Sequence, residues 1–175
     1  RQRSAHDVDP ADILGLRSTT ARWLAALVVG LLLLAAALSP GADEPSLVVA
    51  LTAVILVAGT AAVMWGRRDP PEWLPTLITM ASAPLMCGIY LAAFPDAERA
   101  VPLWVVGPPA LLLGLLAIRG RNAAATLAFV ITVVVVAVWA ARRLGDPMAG
   151  VLLIGPSGGF LVISIAFGAV IRSLA

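Results

Sequence analysis

Residues 123–141 read AAATLAFVITVVVVAVWAA, nineteen positions without a charge and with only Thr126 and Thr132 as polar groups. A helix that crosses a bilayer needs about 20 consecutive, mostly apolar residues. A soluble helix of that length would show a polar face, and this stretch has none. The segment therefore sets the solvent for the whole fold, which is lipid rather than water.

Working outward, five more stretches of the same kind appear. The expected spans are 23–39, 47–65, 74–94, 101–118, 123–141 and 148–174. Their interiors carry no charge until Arg172. The connections PGADEPS, GRRDPPEW, PDAERA, RGRN and RRLGDP are short, so consecutive helices must run antiparallel beside one another. The expected fold is all-α, a polytopic antiparallel bundle of six transmembrane helices over 21–175, preceded by a polar cytoplasmic tail over 1–20. Composition agrees. The 175 residues are 61% hydrophobic and 13% charged, whereas soluble domains are about half apolar and about a quarter charged.

The 12 cations are all arginine and give a formal net charge of +2. They sit at span ends rather than in a basic patch, which points away from nucleic acid. Nine lie on the side of the first span's N-terminus: Arg1, Arg3, Arg17, Arg22, Arg67, Arg68, Arg119, Arg121 and Arg172. Arg99, Arg142 and Arg143 lie on the other. The positive-inside rule then places both termini in the cytoplasm of a multi-pass protein of the inner (plasma) membrane. The first span has an Arg-bearing front and a small-residue AAALS end, loosely like a signal peptide. Five spans follow it, and it reads as a membrane helix. A chain that opens on Arg1 rather than Met is expected of a fragment or a processed product.

Local signals support the boundaries. Asp146-Pro147 offers an N-cap followed by proline at the first helical position, and Asn122 is expected to cap the fifth span. Trp23, Trp65, Trp73, Trp104 and Trp139 lie near span ends, as interfacial anchors do. The tail is expected to be a loosely ordered cytoplasmic segment; the alternative is a short helix capped by Asp9 that turns Ile13, Leu14 and Leu16 toward the bilayer surface or a partner. His6 there has no ligand set at metal spacing.

Chemistry is scarce. Membrane enzymes and ion-coupled pumps rely on ionisable groups within their spans, and none is present. There is one His, no Lys, no HExxH and no Ser/His/Asp set. The expectation is a non-catalytic chain with no cofactor and no metal site. Hydroxyls at Thr76, Thr79, Ser82, Thr126, Thr132, Ser157 and Ser164 suit bonds to backbone carbonyls or neighbouring helices.

Breakers remain: Pro84 in the third span, Pro108-Pro109 in the fourth and Pro156 in the sixth. The third span is the most polar, so Ser82, Pro84, Cys87 and Tyr90, with Pro108 and Pro109, are the candidate wall of a site for a small apolar ligand. The sixth span contains GPSGGF over 155–160. With no Lys in the chain it is not a phosphate loop. Gly155 and Gly159 form a GxxxG pair, and Ser164 and Gly168 repeat the small-xxx-small pattern. Such faces let helix backbones approach closely. Gly155, Pro156, Gly159, Ser164 and Gly168 are the expected helix contact and hinge.

From about Leu112 the sequence runs LLGLLAIRGRNAAATLAFVITVVVVAVWAARRLGDPMAGVLLIGPSGGFLVISIAFGAVIRSLA. This resembles the membrane half of actinobacterial sensor histidine kinases and related proteins. Arg119-Gly120-Arg121, Trp139 and Ile171-Arg172 carry the resemblance, over about a third of the chain. No phospho-acceptor His region and no nucleotide-binding box accompanies it. The resemblance implies a sensory or dimerising membrane module whose signal leaves through the last span. The partners expected are the lipid bilayer and a second copy or another membrane protein. An accessory subunit of a larger membrane complex, or a small transporter or channel for an apolar or neutral solute, is the alternative.

Overall fold

The computed structural model describes residues 26, 27, 29, 30, 46–65, 72–93 and 103–174. The expectations for the tail over 1–20, the loop acids Asp43, Glu44, Asp96 and Glu98, and Arg67, Arg68 and Arg99 lie outside the described residues. So does most of the first span, of which residues 26, 27, 29 and 30 are helical.

Five helices follow: α1 (Ser46–Trp65), α2 (Trp73–Ala93), α3 (Leu103–Ile118), α4 (Asn122–Arg143) and α5 (Pro147–Leu174). Among the described residues there is no strand. Trp73–Ala93, Asn122–Arg143 and Pro147–Val170 are long and apolar enough to cross a membrane, while Ala50–Met64 and Gly107–Ile118 are shorter apolar stretches.

Helix α3 is the centre. It packs on α1, α2, α4 and α5, and its Leu112, Leu113 and Leu116 are almost completely enclosed. α1 leans on α2 and α3 at one side, and α5 leans on α3 and α4 at the other. One cluster joins Val63 and Met64 of α1, Ala83 of α2, Leu113, Leu116 and Ala117 of α3, Ala125 and Ala128 of α4 and Leu161 of α5. Val29, from the first span, packs with Leu56, Met86 and Leu112.

The turn between α3 and α4 explains the sequence RGR in structural terms. Gly120 adopts φ 89°. Its N–H donates to Ala117 O at 2.9 Å, and Arg121 N–H donates to Leu116 O at 3.1 Å. That pair of bonds closes a helix with a left-handed residue just past its end, a position glycine fills without Cβ strain. Arg121 O then accepts from Ala125 N–H at 2.9 Å to begin α4. The cap position falls on Arg121, with no side-chain cap bond. Asn122 is already helical, so its expected role as cap is corrected. The left-handed turn at Gly120 brings α4 in one residue early.

Between α4 and α5 the expected signals act as read. Gly145 has φ 71°, and Asp146 Oδ1 accepts from Met148 N–H at 2.8 Å. The helix runs through Arg142 and Arg143, where cations suit the negative end of the α4 dipole.

Candidate functional site

The buried face of α2 comprises Thr76, Thr79, Ser82, Ala83, Met86, Cys87, Tyr90 and Leu91. The steps of three and four keep these side chains on one side of a helix. At its first half this face meets α1. A Cβ placed on Gly59 would lie 2.6 Å from Ser82 Oγ and 3.0 Å from Leu112 Cδ1. Only glycine lets α1, α2 and α3 come together there. At its second half, Cys87, Tyr90 and Leu91 pack with Val136 of α4 and Ile154 of α5. Val48, Phe129, Val133, Trp139 and Leu153 surround that cluster.

The residues expected to wall a ligand site are thus divided between two contacts. Ser82 lies against Gly59, whereas Cys87 and Tyr90 lie in the cluster with Val136. Pro84 is half-buried, and Pro108 and Pro109 are buried within α3.

The buried hydroxyls bond to carbonyls one turn back. Thr52 donates to Val48 O at 3.0 Å and Thr60 to Leu56 O at 2.8 Å. Thr76 donates to Glu72 O and Thr79 to Pro75 O, each at 2.9 Å. Ser82 donates to Ile78 O at 2.7 Å, Thr132 to Ala128 O at 2.8 Å and Ser164 to Phe160 O at 2.9 Å. Thr79 Oγ1 also lies 3.4 Å from Gly59 O across the α1–α2 contact. A hydroxyl spent on its own helix leaves no orphan in an apolar interior. Among the described residues no group of three or more His, Cys, Asp or Glu side chains is placed to hold a metal ion.

Helix α5 uses its small residues differently from the GxxxG expectation. Its inward row is Gly150, Ile154, Ser157, Leu161, Ser164 and Gly168, all buried. The alternating steps of four and three are the seam of a closely packed helix pair. A Cβ on Gly150 would meet Val136 O at 2.8 Å and Ala137 Cα at 3.0 Å, so the α4 and α5 backbones nearly touch. A Cβ on Gly114 of α3 would meet Phe160 Cε1 at 2.6 Å and Ser164 Oγ at 2.7 Å. A Cβ on Gly158 would lie 3.0 Å from Phe129 Cζ. Gly155, Pro156 and Gly159 are exposed, and nothing lies within 4 Å of a Cβ on either glycine. Ser164 and Gly168 therefore serve packing within the chain, and Gly155 and Gly159 face outward. The seven-residue recurrence of Gly150, Ser157 and Ser164 was the sequence signal that would have found the inner seam.

Two residues take places that a loop-and-anchor reading misses. Arg119 is 8% exposed, and its guanidinium Nη1 donates to Val63 O in the last turn of α1. A cation on the orphan carbonyls of a helix end satisfies both hydrogen bonding and the dipole. It ties α1 to α3 across 56 residues of sequence. Trp73 is 70% exposed, in keeping with an anchor, whereas Trp139 is only half-exposed and its Nε1 is buried.

No curated protein and no solved structure matches this chain. A family model described as a domain of unknown function (DUF8320) matches residues 18–171, nearly the whole sequence, and the chain belongs to that family.

Proposed function

We propose that this chain is a non-catalytic sensory and dimerising module of the inner (plasma) membrane. In this reading six spans cross the bilayer, both termini are cytoplasmic, and a signal leaves through α5. The distribution of arginines supports the orientation, and the helical residues 26, 27, 29 and 30 support a span ahead of α1. The resemblance to the membrane half of sensor histidine kinases supports the direction of output.

The observation that carries the reading is the two-sided use of α5. This helix of 28 residues is about 42 Å long at 1.5 Å per residue, enough to cross the apolar layer and continue past it. One row of small residues docks it on α3 and α4. A second pair, Gly155 and Gly159, stays open on the outer side. Small residues on a lipid-facing helix side let a second helix approach closely. A dimer formed there would join two output helices directly.

Cysteine crosslinking in native membranes tests this. Cys87 is buried and leaves the background silent. Gly159→Cys should give a disulfide-linked dimer on mild oxidation, and the inward control Ser157→Cys should not. Absence of a dimer from both Gly155→Cys and Gly159→Cys would remove the dimer. A crosslink of fixed mass to another protein would replace it with the accessory-subunit reading.

A further inference from the structure

We infer that Trp139 forms the donor of a binding site for an uncharged carbonyl carried on an apolar chain. This rests on the reading that the bundle lies in a bilayer.

Among the described residues, Trp139 Nε1 is buried and has no hydrogen-bond partner. It stands out because buried Thr and Ser hydroxyls elsewhere in the bundle are bonded to carbonyls. A buried donor without an acceptor is costly, and in folded proteins such a group usually has a reason. Indoles at the membrane boundary ordinarily keep the N–H toward water or lipid headgroups. Here the residue is partly exposed while its Nε1 is buried, and the side chain packs on the cluster of Cys87, Tyr90, Leu91, Val136 and Ile154.

The surroundings select the ligand. The cluster packed against the ring is apolar, and the nearest cations, Arg142 and Arg143, are exposed, so a carboxylate or phosphate would stay with them at the surface rather than lose its hydration at the buried N–H. A neutral ester or amide carbonyl has one strong acceptor and little else to desolvate. Its chain can lie along the exposed apolar surface nearby, where Val138, Leu144 and Met148 are outward. Depth agrees as well. Trp139 precedes Arg143 by four residues, about 6 Å at the helical rise, which is the boundary between charged surface and hydrocarbon. Acyl ester carbonyls of membrane lipids occupy that level, and a diffusible amphiphile with the same carbonyl would reach it too.

The test follows the indole proton. The full chain, with tryptophan labelled at the indole nitrogen, is placed in nanodiscs of diester phosphatidylcholine and in nanodiscs of the diether analogue, which lacks the carbonyls. Methyl laurate is then added to the diether sample. The Trp139 resonance is assigned by its loss in Trp139→Phe or, should that variant not fold, by its persistence when the other tryptophans are replaced. The N–H proton should move downfield wherever a carbonyl is available and exchange more slowly with solvent. A shift in diester discs alone identifies a bilayer lipid as the source, and a shift with methyl laurate alone identifies a diffusible ligand. An identical resonance in all three samples would overturn the site, as would one held by a trapped water. The crosslinking result at Gly159 is independent of this readout, so either inference can fail without the other.

Discussion

Helices α3 and α5 carry the same breakers and use them in opposite ways. In α3, Pro108, Pro109 and Gly114 are buried among the neighbouring helices, and only Gly107, near its start, is exposed with nothing within 4 Å of a Cβ. In α5, Gly150 and Gly168 are buried but Gly155, Pro156 and Gly159 are exposed. The difference lies in position within the bundle, not in residue type. Gly114, in the middle of the central helix, has to meet a partner, whereas a glycine in the flanking helix meets one only on one side. Composition does not mark that side. Outward Leu152, Val162 and Ile163 are as apolar as inward Ile154 and Leu161, so close packing rather than polarity tells the two faces apart.

The largest effect should come from filling the tightest contact on the inward side of α5. A Cβ on Gly150 meets the backbone of α4, at Val136 O and Ala137 Cα, and backbone cannot swing aside as a side chain can. Gly150→Leu should cost about 3 kcal/mol, the upper part of the overpacking range. Unfolding in mixed micelles titrated with sodium dodecyl sulfate reads this. Gly155→Leu, on the open side of the same helix, should lose nothing in the monomer and gain up to about 1 kcal/mol from the better helix former. Equal losses for the two variants would break the distinction between faces.

Next in size is the clasp that holds α1 against α3. Arg119→Leu removes the donor to Val63 O and leaves a buried carbonyl at the end of α1. Hydrogen bonds to charged groups contribute about 1.5–3 kcal/mol, and the loss should fall near the lower figure. Hydrogen exchange should locate it, with faster exchange in the last turn of α1 and little change in α5. Uniformly faster exchange throughout the bundle would show that Arg119 supports the whole core rather than one helix end.

These contacts also mark how far the sequence could be read. The boundaries of α1 to α5 were legible because hydrophobic length and the turn residues Gly145, Asp146 and Pro147 agree with each other. The start of α4 was misplaced by a residue, because capping chemistry suggested Asn122 while the left-handed turn at Gly120 decided. Arg119 was read as a loop cation, since sequence position places it at a span end but cannot show that its side chain folds back onto α1. The proposed ligand wall was spread over two contacts because Ser82 and Cys87, five residues apart, lie on different flanks of one buried helix face. GxxxG drew attention to Gly155 and Gly159, while the seam that docks α5 follows the seven-residue spacing of Gly150, Ser157 and Ser164. Spacing on a helix defines several candidate faces, and only the neighbours choose among them.

The smallest effect is also the sharpest comparison, because it sets adjacent residues against each other. Gly158 lies under Phe129, with Cζ 3.0 Å from where a Cβ would stand. That atom is the far end of a side chain, so Gly158→Ala needs a shift of a few tenths of an ångström rather than a movement of backbone. Gly159 has open space. Alanine is favoured over glycine within a helix by about 1 kcal/mol, and this gain applies at both positions. At Gly159 nothing opposes it inside the monomer, so Gly159→Ala should raise stability by up to about 1 kcal/mol. At Gly158 the displaced ring takes back most of it, and Gly158→Ala should be close to neutral. Phe129→Leu, by withdrawing the ring, should let Gly158→Ala recover its gain, and a double-mutant cycle isolates that coupling. Should Gly158→Ala gain as much as Gly159→Ala with Phe129 intact, the ring does not press on Gly158. The boundary between the two faces of α5 would then have to be drawn one residue further round the helix.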